Sequence, residues 1–279
     1  TYLKRGPEML RFFHDNTKHM RFKYATNYSD YYAHLPGGKP TGRSIEPEII
    51  DMRLLKEWEG LILEPTISTK GFTMTGQEFH KVNMIMRTLK GKATSLKLGT
   101  RMIKSKLTGA RYASLGRSLM ARMALSYKQA GGKFTVNAAF KDFIVENNRV
   151  IGVLIESNGK QLQIKANRGV ILGAGGFLQD QEKRQKYLPQ PTNKEWTSSP
   201  AGQTGDIIEP CKKLGAKFDL MEHVWGAPSV LDHHNKPFFL VSDRAIPSMI
   251  IVDQNGNRYL NEAMPYHELI NNMYSHHEQ

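Results

Sequence analysis

KFTVNAAFKDFIVENNRVIGVLIESNGKQLQIKANRGVILGAGGF, residues 133–177, is the stretch whose reading decides the fold. Its β-rich runs are separated by Asn147-Asn148, by Ser157-Asn158-Gly159 and by Ala166-Asn167-Arg168-Gly169. Turn formers at that spacing predict a strand followed by a hairpin or meander. The last run, GVILGAG, is continuously apolar, which predicts a buried parallel strand. Such a strand ordinarily ends in a loop that meets a ligand. GAGG (173–176) would let backbone approach a ligand closely, because three of its four residues lack a side chain. The same residues would equally make a tight strand exit, and no G-x-G-x-x-G fingerprint accompanies them.

Outward from that stretch the period changes. Pro7 sits where a helix begins, and Met9, Leu10, Phe12 and Phe13 follow at helical spacing. HMRFKYA (19–25) reads as a short strand and NYSDYYAHLPGGKPTGRSIEP (27–47) as a loop. Helices are expected over about 46–59 and 76–106, and from Leu115 to a C-cap at Gly131-Gly132. The fold class is therefore α/β with α+β elements.

With 279 residues the chain can bury a sizeable core. Hydrophobic residues at 39%, charged residues at 23% and a mean hydropathy of −0.49 indicate neither a membrane span nor a wholly disordered chain, and GVILGAGGFL (169–178) is too short to cross a bilayer. Thr1 opens a segment, TYLKRGPEML, that reads as the interior of something longer, so a fragment is expected. The lone Cys211 suits a reducing compartment, which makes cytoplasm the expected location.

The net charge of +13 has a local origin. Between Glu78 and Asp142 there is no acidic residue, while fourteen Lys or Arg occur. A field of this sign attracts phosphates. No zinc finger, RNP pattern or basic heptad region accompanies it, which argues against nucleic acid. KVNMIMRTLKGKATSLKLGTRMIKSKL interleaves Met, Ile and Leu with Lys, which suits peripheral membrane contact through the basic 79–141 stretch. A solvated basic face, or a basic face complemented by a further part of the chain, is the plainer alternative.

Several residues carry chemical potential. Thr204-Gly205-Asp206 precedes a helix-like run ending at Gly215, where the Thr and Asp could cap the helix or hold a ligand hydroxyl. The doublets His233-His234 and His276-His277 lack the spacing of a zinc site, so no metal is expected and surface imidazoles are the reading. The sequon at Asn27 carries no weight without a secretory context. Tyr31 and Tyr32 stand in a long loop, and Tyr266 stands behind Pro265 in another irregular stretch. Composition and spacing leave these tyrosines as packing residues or as chemistry.

Read in order, DYYAHLPGGKPTGRSIEP (30–47), LGRSLMARM (115–123), IVENNRVIGVLIES (144–157), IKANRGVILGAGGF (164–177), AGQTGDIIEPCKKLGAK (201–217) and VDQNGNRYLNEAMPY (252–266) change the picture. The combination resembles the FAD-dependent 3-ketosteroid Δ1-dehydrogenases of the fumarate-reductase-like flavoprotein group. The resemblance implies a middle portion of a larger flavoprotein. Residues 1–226 would be a partial Rossmann-like FAD-binding domain without its glycine-rich first unit, and 227–279 would begin a catalytic, capping domain. It implies Tyr266 as acceptor of the C2 proton of a hydrophobic ketone and Tyr31 as its partner. It also implies FAD contacts at Ala139, at Ala174, Gly175 and Gly176, and at Thr204, Gly205 and Asp206, with an external electron acceptor. A tyrosine titrating at about 10 is a poor base at neutral pH unless another hydroxyl donates to the developing phenolate. A fumarate-reductase-like or Δ4-ketosteroid dehydrogenase is the alternative on the same scaffold. A basic, membrane-associated or binding module without catalysis is the alternative of another class.

Overall fold

The structure, a computed structural model, describes residues 1–26, 28–65, 72–233, 237–240, 244 and 249–277. Asn27 and His234, singled out above, lie outside the described residues. The chain forms two compact units, Thr1–Phe134 and Thr135–Gln279.

In the first unit α1 (Tyr2–Asn16) precedes β1 (Phe22–Tyr24), which pairs antiparallel with β2 (Ile45–Pro47). β3 (Ile50–Asp51) follows, then a 3-10 segment over Met52–Leu61, α2 (Gly76–Val82) and α3 (Leu89–Thr108). β4 (Tyr112–Ala113) pairs antiparallel with β3 and leads into α4 (Leu115–Gln129). Two helical expectations are corrected here. Residues 46–59 divide among β2, β3 and the 3-10 segment, because pairing with β1 and β4 satisfies their backbone. The expected 76–106 helix is two helices: Thr75 and Glu78 form a capping box for α2, and Thr88 Oγ1 accepts from Gly91 N at 2.9 Å to start α3.

The core of this unit is Ile50, Met52, Leu55, Ala113, Ala121, Ala124 and Leu125, with Trp58 and Ile62 against it. Small residues on α4 let the strands come close, and Leu55 has no exposed surface. Truncating it to Ala should cost about 3 kcal/mol. Arg122, buried on α4, donates to Glu48 O at 2.9 Å, to Ile49 O at 3.0 Å and to His19 O. One guanidinium thereby ties α4 to two other chain segments.

The second unit opens with β5 (Ala138–Glu146), β6 (Arg149–Ser157) and β7 (Lys160–Lys165), an antiparallel meander as the sequence predicts. Asn147, Asn148 and Asn158 adopt φ of 47°, 60° and 53°, the left-handed values that two-residue hairpin turns demand. α5 (Gln181–Tyr187), a 3-10 turn at Lys194–Trp196 and α6 (Ile208–Lys213) follow. The hairpin of β8 (Ser229–Leu231) and β9 (Pro237–Phe239) and then α7 (Tyr266–His277) complete it.

GVILGAG is not the buried parallel strand expected. Ile171 is 98% exposed, and among the described residues no hydrogen bond engages the backbone of Val170–Gly176. An apolar run becomes a strand only when another strand meets its amides and carbonyls, and none of the described strands lies beside it. No described helix is long and apolar enough to cross a membrane.

Candidate functional site

Two motifs 28 residues apart in sequence are brought together in the second unit. Gly175 has φ +75°, and a Cβ there would stand 3.1 Å from the Gln203 side chain. Gly205 has φ +68°, and its Cβ would meet Phe177 Cβ at 2.7 Å. Gln179 N donates to Gln203 O at 3.0 Å, stitching the same two loops. Only glycine meets both the left-handed backbone and the close approach. The GAGG and TGD stretches thus form one loop cluster.

Within it Thr204 Oγ1 donates to Asp206 Oδ1 at 2.9 Å, and Asp206 is exposed. Neither residue caps α6, whose N-cap is Ile207 with no side-chain bond. The capping alternative is therefore set aside, which leaves a hydroxyl and a carboxylate presented at the loop. Ala174 and Gly176 are exposed, and a Cβ on Gly173 or Gly176 would meet nothing within 4 Å. Ala139 is carried by the sheet instead, exposed on β5 opposite Glu156 of β6.

The tyrosines occupy contrasting settings. Tyr266 is the first residue of α7, behind the buried Pro265, and its hydroxyl accepts from Trp225 Nε1 at 2.7 Å. Gly226 brings Trp225 to that place, because a Cβ there would lie 3.2 Å from Ile270, one turn along α7. Trp225 carried no signal in the sequence, being 41 residues from Tyr266. Around Tyr266 the backbone is braced by Glu262, which is 5% exposed and takes Arg258 Nε and Nη2 at 3.0 and 2.6 Å and Ile251 N at 2.9 Å. Arg258, then the Ile251 amide, push the Glu262 carboxyl down to about 2. Arg244 adds donors to Glu262 O and, at 2.8 Å, to Met264 O.

Tyr31 belongs to the first unit, about half exposed in the turn after Asp30. Asp30 accepts from Arg43 and, at 2.7 Å, from Lys39 N, and both hold its carboxyl below the usual range.

The histidine reading needs one correction. His276 is not a free surface imidazole: its ring stacks on Tyr259 at 4.1 Å, and Nε2 lies 3.2 Å from Asp253 Oδ2. That contact ties the end of α7 to the turn at Asp253–Asn257.

A family model described as FAD binding domain matches residues 1–279. The chain belongs to the FAD-binding domain family. FAD is accordingly the cofactor of this FAD-binding domain, and the loop cluster fits it. Exposed small residues with unengaged backbone at 173–176 suit a pyrophosphate, while the Thr204 hydroxyl and Asp206 carboxylate suit polyol hydroxyls.

The FAD-binding domain is 39% identical to 3-oxosteroid 1-dehydrogenase of Mycolicibacterium smegmatis over 98% of this chain and 49% of that protein. It is 27% identical to 4-oxocyclohex-2-ene-1-carboxylate 5-dehydrogenase of Sinomonas cyclohexanicum over 99% of this chain and 48% of that protein. The crystal structure of 3-ketosteroid delta1-dehydrogenase from Sterolibacterium denitrificans, in complex with 1,4-androstadiene-3,17-dione, matches with a TM-score of 0.88 and 31% identity. That match covers 99% of this chain and 51% of the other. The chain spans about half the length of the curated relatives it matches.

Proposed function

We propose that this chain is part of a FAD-dependent dehydrogenase that introduces a C1–C2 double bond into 3-ketosteroids and passes the electrons to an external acceptor. The 39% identity to a 3-oxosteroid 1-dehydrogenase over nearly the whole chain is the observation that carries the reading. FAD, when bound, supplies the hydride acceptor for C1. Ala139, Ala174 to Gly176 and Thr204 to Asp206 would hold it, within a FAD-binding part at 1–226 that hands over to a catalytic part at 227–279.

Proton handling falls to the chain's own residues. The C2–H of the substrate is acidified by the neighbouring ketone, and Tyr266, having first given up its own phenolic proton to solvent, takes that proton as the phenolate. Trp225 Nε1–H already donates to the same oxygen at 2.7 Å, and such a bond strengthens as its acceptor gains negative charge. Tyr31 is the second donor in this reading. Position on the first residue of a helix, behind Pro265, keeps the Tyr266 hydroxyl in one place.

A 3-ketosteroid with a saturated C1–C2 bond, offered to the enzyme with an artificial electron acceptor, should yield the 1,2-unsaturated product. Turnover of 4-oxocyclohexanecarboxylates without turnover of the steroid would replace the substrate class with small oxo-acids, a reading supported by the Sinomonas relative. Absence of a flavin absorbance band at about 450 nm from the protein after addition of FAD and removal of the unbound flavin would count against the cofactor site itself. The basic stretch 79–141 we assign to contact with a membrane surface from the cytoplasmic side.

A further inference from the structure

Glu78 and its partners fix the rotation of α3. Glu78 is buried and takes Arg101 Nη1 and Nη2 at 2.9 and 2.8 Å and Lys97 Nζ at 3.0 Å. Burial opposes its charge, but the Arg101 and Lys97 bonds outweigh that and push its carboxyl down to about 2. Arg101 Nη1 also donates to Thr73 O at 2.5 Å, and Ser105 Oγ to Ala110 O at 2.5 Å. With Leu98 buried on the same side, the opposite side of the helix is turned outward.

That outward side is apolar. Leu89, Leu96 and Ile103 recur every seventh residue, with Leu107 one turn further, and they are 83%, 71%, 55% and 82% exposed. Single exposed leucines are ordinary, whereas four in line along about 27 Å of helix are not. At 100° per residue Lys92 and Lys106 flank one edge of this stripe and Lys90 and Lys104 the other. The turn before α3 adds exposed Met84 and Met86.

We infer that α3 lies in the headgroup layer of an anionic bilayer, its Leu89, Leu96, Ile103 and Leu107 stripe entering the acyl boundary and its flanking lysines resting against lipid phosphates. This rests on the membrane reading of the basic stretch and names the element, the face and the lipid charge. Charge complementarity selects the occupant. No acidic residue interrupts 79–141, and a helix with leucines between rows of lysine matches an anionic interface on both counts. A nucleic acid would engage the lysines and leave the leucines in water.

Cosedimentation of the purified chain with phosphatidylcholine vesicles, with and without about one third phosphatidylglycerol, tests this. The anionic vesicles should bind at least about tenfold more tightly. Leu96→Gln with Ile103→Gln should weaken that binding more than about tenfold at an unchanged melting temperature. Lys92→Gln, Lys104→Gln and Lys106→Gln should weaken it about fivefold each and flatten its salt dependence. Leu96→Trp should gain a blue-shifted emission component on anionic vesicles only, a readout that does not depend on losing a contact.

Equal binding to both vesicles would overturn the inference, as would full binding by the leucine pair variant. Loss of self-association in that variant with vesicle binding intact would assign the face to a second copy. Retention of a DNA duplex by the leucine variant, with no vesicle binding by the parent, would assign the lysines to nucleic acid. No arm uses turnover, so an inactive steroid assay and a failed vesicle assay are separate results.

Discussion

From Asp253 to Tyr266 the backbone is held from inside, by a buried carboxylate. Glu262 gathers Arg258 and the Ile251 amide, while Arg244 takes the carbonyls of Glu262 and Met264. From Asp30 to Arg43 the backbone is held from outside, by an ion pair whose members are 21% and 50% exposed. Water and salt weaken the second arrangement more than the first, because the Glu262 carboxylate is 7% exposed where that of Asp30 is 21%, although Arg258 and Arg43 reach water to a similar extent. In the proposed reading, a hydroxyl that must take a proton at a fixed atom needs the first kind of support, and one proposed only as a donor tolerates the second.

Breaking the chemistry of the braced side should have the largest effect. Tyr266→Phe is expected to lower kcat about 10³-fold in the proposed dehydrogenase while the spectrum of the protein-bound flavin stays that of the parent. Parent-level turnover would remove Tyr266 from the proton step. Next, Glu262→Ala leaves Arg258 and the Ile251 amide without their carboxylate acceptor, so kcat should fall about 10²-fold through misplacement of Tyr266, with a lower melting temperature. Unchanged kcat alongside that lower melting temperature would make the brace purely structural.

On the surface side the losses should be smaller. Tyr31→Phe is expected to cost about tenfold in kcat and to move the turnover profile to higher pH, since one donor to the developing phenolate is lost. A loss of FAD binding instead would place Tyr31 at the cofactor.

Acid sharpens the contrast without mutation. Glu262 and Glu78 are held at about 2, below the ordinary 4.5, so their stabilisation is fully present above about 4.5 and drains as pH falls toward about 2. The melting temperature should drop from about pH 6 to about pH 3, and less steeply in Glu262→Gln. Smallest of all, Arg43→Ala should leave the melting temperature within error, as expected of an exposed pair. A large drop would mean that the Tyr31 loop is braced as firmly as the Tyr266 segment.

The residues that were legible in sequence obey short-range rules. Asn147-Asn148 and Asn158-Gly159 announce their hairpins because a left-handed turn is decided by the two residues that make it. Thr88 and Thr75 split 76–106 into two helices by the same local logic, and the apolar spacing across that split concealed them. GVILGAG misled because its β-compatible sequence says nothing about a partner strand. The 3-10 segment at Met52–Leu61 misled because its periodicity resembles a helix while the residues before it are drawn into β2 and β3, which pair with β1 and β4.

By itself the sequence determined the meander, the helix α4 with its small-residue face, the basic run from 79 to 141, and an ordered set of motifs that together mark a flavoprotein. Only the tertiary structure decided that Gly175 meets Gln203, that Gly205 meets Phe177, that Trp225 donates to Tyr266, and that the leucines of α3 face outward. The division has a physical cause. Turns and caps are settled within three or four residues, whereas these contacts join segments up to 41 residues apart, and they exist only once packing has set each segment in place.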